Sequence, residues 1–128
     1  MWAGDRASQA LGMSLDAVGP GTATLSMVLR DDMVNGHAIG HGGLTFTLAD
    51  SAFAFACNTY NAVTVAAGAT IDFIVPAMLG DELTAVATEL WRSHRSGLYD
   101  AEVLNQRHER VALFRGRCHQ LDAKLLSV

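Results

Sequence analysis

Charge is scarce in this chain. Asp, Glu, Lys and Arg supply 17% of its 128 residues, against about 25% in an average soluble domain, while half of all residues are apolar. That apolar content excludes intrinsic disorder. A surface so poor in charge also predicts that part of the exterior is covered by a second copy, the plainer alternative being an alanine-rich exterior over a large core. There is no basic surplus. Nine basic and 13 acidic side chains leave a net charge of −4, which excludes the broad phosphate-neutralising surface that nucleic acid requires. No apolar run reaches the ~18 residues needed to span a membrane. The opening Met-Trp-Ala-Gly-Asp-Arg has neither the positive segment nor the apolar stretch of a signal peptide. Cysteine is nearly absent. Cys57 and Cys118 stand far apart in sequence without a Cys-x-x-Cys pair, and read as reduced, buried thiols of a cytoplasmic protein.

What is present points to one α+β domain over residues 1–128. Residues 2–12 read as a short helix stopped by Gly12, and Gly19-Pro20-Gly21 as a turn. Ala23, Leu25, Met27 and Leu29 alternate with polar residues, the pattern of a strand with one wet face. Residues 31–40 follow neither period and read as a loop. From Gly42 to Asn58 the chain is proline-free and apolar nearly all round, as in a helix at the centre of a core. Every second position from Val63 to Val75 is apolar, predicting a strand ended by Pro76. Strands follow at Leu83–Arg92, Leu98–Asn105 and Val111–Leu121, with turns at Gly80-Asp81, Ser96-Gly97 and Gln106–Arg110. Connections this short make neighbouring strands antiparallel.

Three features around the helix start bear on chemistry: Asn35, the run Gly40-His41-Gly42-Gly43, and Asp50. Glycines at the head of a helix let a ligand approach the backbone. The first helical amides lack intrahelical acceptors and sit at the positive end of the dipole, so they suit a phosphate or a developing oxyanion. Tight helix packing would also explain the glycines. Asp50 lies mid-helix in the most apolar segment, where an ionised carboxylate is costly unless partnered or open to a polar cavity. Capping of a separate helix from Ser51, or a satisfied buried acid, would account for it without chemistry. If both groups act, one helix holds them roughly 12 Å apart along its axis. They must then meet from two chains, and the active site lies between subunits. His37 and His41 are spaced i, i+4, but His37 falls in a glycine-rich loop and no further ligand cluster is near, so no metal is predicted. Ser51 lacks the Gly-x-Ser-x-Gly surroundings of a serine hydrolase. Arg92, His94 and Arg95 read either as solvated turn charge or as a basic rim for a phosphorylated ligand, as do Arg107 and Arg110.

The run Asn35-Gly-His-Ala-Ile-Gly-His41-Gly42-Gly43-Leu-Thr-Phe-Thr-Leu-Ala-Asp50-Ser-Ala-Phe-Ala-Phe-Ala-Cys57-Asn58 resembles the hotdog-fold thioesterases of the phenylacetate-degradation (PaaI) type. The likeness continues through Thr70-Ile71-Asp72-Phe73, Gly97-Leu98-Tyr99-Asp100 and Val111–Arg117. The resemblance implies a long helix wrapped by a curved antiparallel sheet, and dimers that pair into a homotetramer. It implies hydrolysis of phenylacetyl-CoA, hydroxyphenylacetyl-CoA or a related acyl-CoA to free acid and CoA, with no cofactor. By position, the Gly42 amide would polarise the thioester carbonyl and His41 would support its loop. Asp50 of the partner chain would attack the carbonyl or activate water, Asn35 would orient water or substrate, and Ser51 would assist beside the acid. Arg92, His94 and Arg95 would contact the CoA moiety. Some related enzymes carry a Thr where this chain has Ala54, so no role falls to that position. Two other readings compete: a non-catalytic acyl-CoA sensor, and a hotdog acyl-CoA hydratase or dehydratase.

Overall fold

The computed structural model describes residues 1–126. Its centre is a helix, α2 (Gly42–Cys57), laid across the concave face of a six-stranded antiparallel sheet. A short helix, α1 (Arg6–Ala10), precedes it. The strands are β1 (Ser14–Gly19), β2 (Thr22–Val28), β3 (Thr64–Phe73), β4 (Glu82–Arg92), β5 (Ser96–Leu104) and β6 (Arg110–Gln120). They are ordered β1-β2-β4-β5-β6-β3 across the sheet. The chain therefore carries β3 to the far edge before β4 returns beside β2. A long helix held against one antiparallel sheet in this strand order is the hotdog arrangement that the resemblance implies.

The inner positions of the sheet are apolar and several are small, which lets it approach the helix closely. Leu25 and Met27, Leu83, Ala85 and Ala87, Ala101 and Val103, and Ala112 and Phe114 are all buried there. They meet Leu48, Ala49, Ala52, Phe53 and Ala56 of α2 in one hydrophobic cluster. Phe53 packs against Tyr99 and Phe114 with ring centroids 5.8 and 5.6 Å away. A Cβ at Gly116 would come within 2.7 Å of that ring, so glycine there is what admits it. Burying a side chain of this size contributes about 1.5–3 kcal/mol.

The predicted central helix and the strands from Ala23 onward are present, with four differences. Residues 2–12 are not one helix. Asp5 interrupts them, its side chain accepting from the Ser8 amide to cap α1, because a cap is a better use of a short acid than a helix interior. Strand β1 is additional to those predicted. It has one apolar residue facing the core, Leu15, and a bulge between Leu15 and Ala17 breaks its period. The turn expected at Ser96-Gly97 lies at Ser93–Arg95 instead, closed by Ser93 N–H donating to the Ser96 carbonyl at 2.8 Å. Gly97 is inside β5, where a Cβ would lie 2.8 Å from Tyr99 and 2.9 Å from Cys118. In β3 the alternation does not mark one face. A bulge between Ala66 and Gly68 shifts the register against β6, so Ile71 lies opposite buried Phe114 while Val65 lies opposite exposed His119.

Candidate active site

The loop before α2 is tied down before the helix begins. The Asn35 Oδ1 accepts from the amides of His37 and Ile39 at 2.9 and 3.2 Å, and the Asn35 N–H donates to the Ile39 carbonyl at 2.7 Å. Ala38 takes the left-handed conformation, φ 59°, inside this turn. Gly40 donates to the Ala77 carbonyl at 2.6 Å. A Cβ on it would sit 2.7 Å from the buried Leu29 side chain and 3.2 Å from the Ala77 carbonyl, so any larger residue would have to displace Leu29. Asn35 is thus a loop clamp through its oxygen, while its Nδ2 has no acceptor among the described residues.

His41 is the N-cap of α2. Its Nδ1 accepts from the Gly43 amide at 3.0 Å, and its own N–H donates to the Met33 carbonyl at 2.8 Å. The Leu44 amide turns to the His41 carbonyl at 3.0 Å. That leaves Gly42 as the first-turn residue whose N–H has no acceptor among the described residues. The two glycines are therefore not equivalent. One amide is consumed by the cap and the other is presented, at the positive end of the helix dipole. Beside it opens an apolar cleft of about 320 Å³, lined by Ile39, Gly42, Thr45, Phe73, Pro76 and Val111 among others. Asp50 does not border this cleft.

Asp50 lies further along the same uninterrupted helix, eight residues on, which places it about 12 Å from Gly42 along the axis. It sits on a partly exposed stripe with Gly43, Thr47 and Ala54, the side of α2 that the sheet leaves uncovered. The helix is thus not buried all round. Burial alone pushes the Asp50 carboxyl above its ordinary range, and no hydrogen bond or ion pair is made to it among the described residues. Ser51 points elsewhere. Its Oγ meets Ser8 Oγ at 2.9 Å, and Ser8 donates to Asp5 at 2.7 Å, so the hydroxyl joins α2 to the cap of α1.

Arg92, His94 and Arg95 are exposed, and Arg92 and Arg95 lie near Cys57 at the opposite end of α2, roughly 20 Å from Gly42 along the axis. The Arg92 guanidinium stacks on the Tyr60 ring, 3.8 Å from its centroid, and Arg95 pairs with Asp122 at 2.7 Å. Arg107 and Arg110 are held by Asp81 and Glu109, and by Glu102. Sequence reasoning missed the Tyr60–Glu89–Tyr99 group, in which both phenols donate to Glu89 at 3.1 Å. Two tyrosines and an acid spread over 40 residues leave no local signal.

A single α2 supplies an amide and a carboxyl that, among the described residues, have no hydrogen-bond partner, about 12 Å apart along its axis. The thioesterase superfamily model matches residues 37–112, the stretch that carries both groups. The chain belongs to that superfamily. It is 42% identical over 121 residues to the acyl-coenzyme A thioesterase PaaI of Escherichia coli K12, spanning 94% of this chain and 86% of that one. The solved structure of E. coli PaaI superposes with a TM-score of 0.95 at 41% identity, covering 97% of this chain and 90% of the other. A mutant of the phenylacetic acid degradation protein PaaI of Thermus thermophilus superposes with a TM-score of 0.88 at 36% identity, covering 91% of this chain and all of that one. This thioesterase has no helix, among the described residues, long and apolar enough to cross a membrane.

Proposed function

We propose that the enzyme hydrolyses phenylacetyl-CoA, hydroxyphenylacetyl-CoA or a related aryl or acyl-CoA thioester to the free acid and CoA, in the cytoplasm. The substrate carbonyl accepts from the Gly42 amide of one protomer. Asp50 of the next protomer acts on the carbonyl carbon, as nucleophile or as the base that activates water. As the tetrahedral intermediate forms, its oxyanion gathers charge against the N–H and the helix dipole, and collapse expels the CoA thiolate. His41 holds the amide in place through Gly43. The Asn35 Nδ2 is free to orient water or substrate, and Ser51 steadies α2 beside the acid. The acyl group enters the cleft by Gly42, which is apolar and large enough for an aromatic ring. Arg92, His94 and Arg95 of a neighbouring protomer meet the CoA moiety.

One observation carries this reading: the exposed amide and the unpartnered acid lie on one rigid helix, too far apart to serve the same carbonyl. A second chain supplies what is missing. The open edge of β3 suits the pairing, since eight of its ten residues are exposed and it pairs on one side only. We assign a dimer built there, and a homotetramer of two dimers.

Complementation between two inactive variants tests the shared site. Asp50→Asn and Gly42→Pro each disable every site of their own oligomer. Proline is tolerated at the first helical position and removes the N–H, its Cβ meeting the Phe73 ring as that of alanine would. Random reassociation of the two gives mixed dimers with one intact site, and roughly one-quarter of wild-type activity. Mixed oligomers of confirmed composition with no recovered hydrolysis would overturn the reading. Single turnover in ¹⁸O-water then separates the two roles of Asp50. Label entering the Asp50 carboxylate marks an anhydride, and label confined to the acid product marks a general base.

A further inference from the structure

The fold brings together the two cysteines that the sequence keeps apart. Cys57 ends α2 and Cys118 lies on β6. Both are free thiols, 5% and 4% exposed, and each influences the ionisation of the other. Both border a narrow crevice that opens beside Arg92, Arg95 and Ser96. Gly97 makes the room for the sulfur, since a Cβ there would lie 2.9 Å from Cys118 Sγ. Neither thiol takes part in hydrolysis, and both sit at the far end of α2 from Gly42.

The surroundings treat the two sulfurs differently. The hydrogen bond from Cys57 draws the Cys118 thiol below its ordinary range against the opposing effect of burial, with the Gly97 amide and Arg92 acting in the same direction as Cys57. Cys57 is pushed up, first by its hydrogen bond to Cys118, then by burial and by the negative charge of Cys118 and Asp50. Tyr99 and Glu89 face the pair from the sheet, and Arg92 and Arg95 are cations at the crevice mouth. The Gly97 amide and Arg92 lie on the Cys118 side, which favours Cys118 as the attacking sulfur and Cys57 as the resolving one.

We infer that Cys57 and Cys118 are an oxidisable dithiol, a modification site at which a peroxide closes an intramolecular disulfide between the end of α2 and β6. The Cys118 thiolate attacks one peroxide oxygen, the O–O bond breaks, and the departing hydroxide leaves as water after taking a proton. The resulting sulfenic acid is attacked by the Cys57 sulfur. Its S–O bond breaks, and a second water leaves with the Cys57 proton. Two thiols lose two electrons, and the peroxide is reduced to two waters. The two side chains line one crevice, and closing the bridge brings their sulfurs to the S–S distance of about 2.05 Å.

The test treats the whole native protein with hydrogen peroxide and maps its thiols after denaturation. The expected product has no titratable thiol, a mass lower by two hydrogens, and one cross-linked peptide joining Cys57 to Cys118. Dithiothreitol restores both thiols, and the oxidised form melts several degrees higher because a long loop is now closed. In Cys57→Ala the reaction stops at a Cys118 sulfenic acid that dimedone captures. Survival of both thiols, addition of oxygen without a cross-link, or a bridge between two chains would overturn the assignment. The wild-type map decides it even where the alanine variant fails to fold.

Discussion

Asp50 and Asp81 are both acids placed in apolar surroundings, and the chain treats them in opposite ways. Asp81 is 4% exposed yet fully engaged. It accepts from the Met78 amide at 3.0 Å, from Gln106 at 2.9 Å and from Arg107 at 3.4 Å. Burial alone would raise its carboxyl, but these donors outweigh it and hold it below the ordinary range. Asp50 is less buried and has no such donors, so burial is left unopposed and lifts its carboxyl. An acid that braces a fold is saturated by its own chain. One that is left bare on a rigid helix is available to something outside it.

Substituting each acid tests that contrast most severely. Asp50→Asn lowers turnover of phenylacetyl-CoA by about 10³-fold, since the amide is neither nucleophile nor base, in a protein still folded and assembled. Removing a desolvated charge should also raise stability at pH 7 by about 1 kcal/mol, measured by denaturant unfolding. The sign follows from the raised carboxyl. Its native form resists ionisation, so Asp50 opposes folding increasingly as pH climbs through the carboxylate range, and the gain from Asn vanishes in acid. Wild-type kcat/KM should fall on the acid side at a pH above the ordinary carboxylate value of about 4.

Gly42→Pro should lower kcat by about 10²-fold with helicity retained in circular dichroism, because one oxyanion donor is lost. The backbone before it, His41 at φ −63° and ψ 129°, already suits a following proline. Gly42→Ala keeps the amide and meets only the Phe73 ring, 3.0 Å from its Cβ, so it should lose much less. Equal losses in the two would break the assignment to the N–H.

Asp81→Asn should leave kcat within twofold and destabilise by about 2 kcal/mol, because Gln106 and Arg107 lose a charged acceptor. Here the sign reverses. The native carboxyl is depressed, so its stabilisation is present above the ordinary value and fades as pH falls through the native one. A smaller effect belongs to His41→Ala. Loss of the cap should reduce stability by about 1 kcal/mol and kcat/KM several-fold, as Gly43 frees itself and the Gly42 amide loses its fixed direction. Arg92→Ala is the mildest, raising the KM for CoA substrates a few-fold while sparing kcat if the basic rim meets CoA.

Much of this was legible beforehand because the signals were local and repeated. Alternation marked β2 and β3, turn residues set off β4, β5 and β6, an apolar proline-free run marked α2, and the Gly-rich head and Asp50 marked the two halves of the proposed site. What escaped depended on contacts across the sequence. Strand β1 has a single core residue and a bulge, so nothing in its own composition distinguishes it from a loop. Gly97 reads as a turn residue until Cys118 and Tyr99 are placed against it. Ser51 beside Asp50 invites a chemical role, and its tie to Ser8 emerges only when α1 docks. The engagement of Asp81 likewise requires the β5–β6 turn to return to it from 25 residues away.

The straightness of α2 has one more consequence. A rod of 16 residues cannot bend its middle back onto its own tip, so under the proposed division of the site a lone protomer has no route to hydrolysis however well it folds. Output then depends on how many chains have found a mate: on dilution the specific rate should sag long before any strand unravels, and a damaged copy should silence half of what its undamaged companion offers.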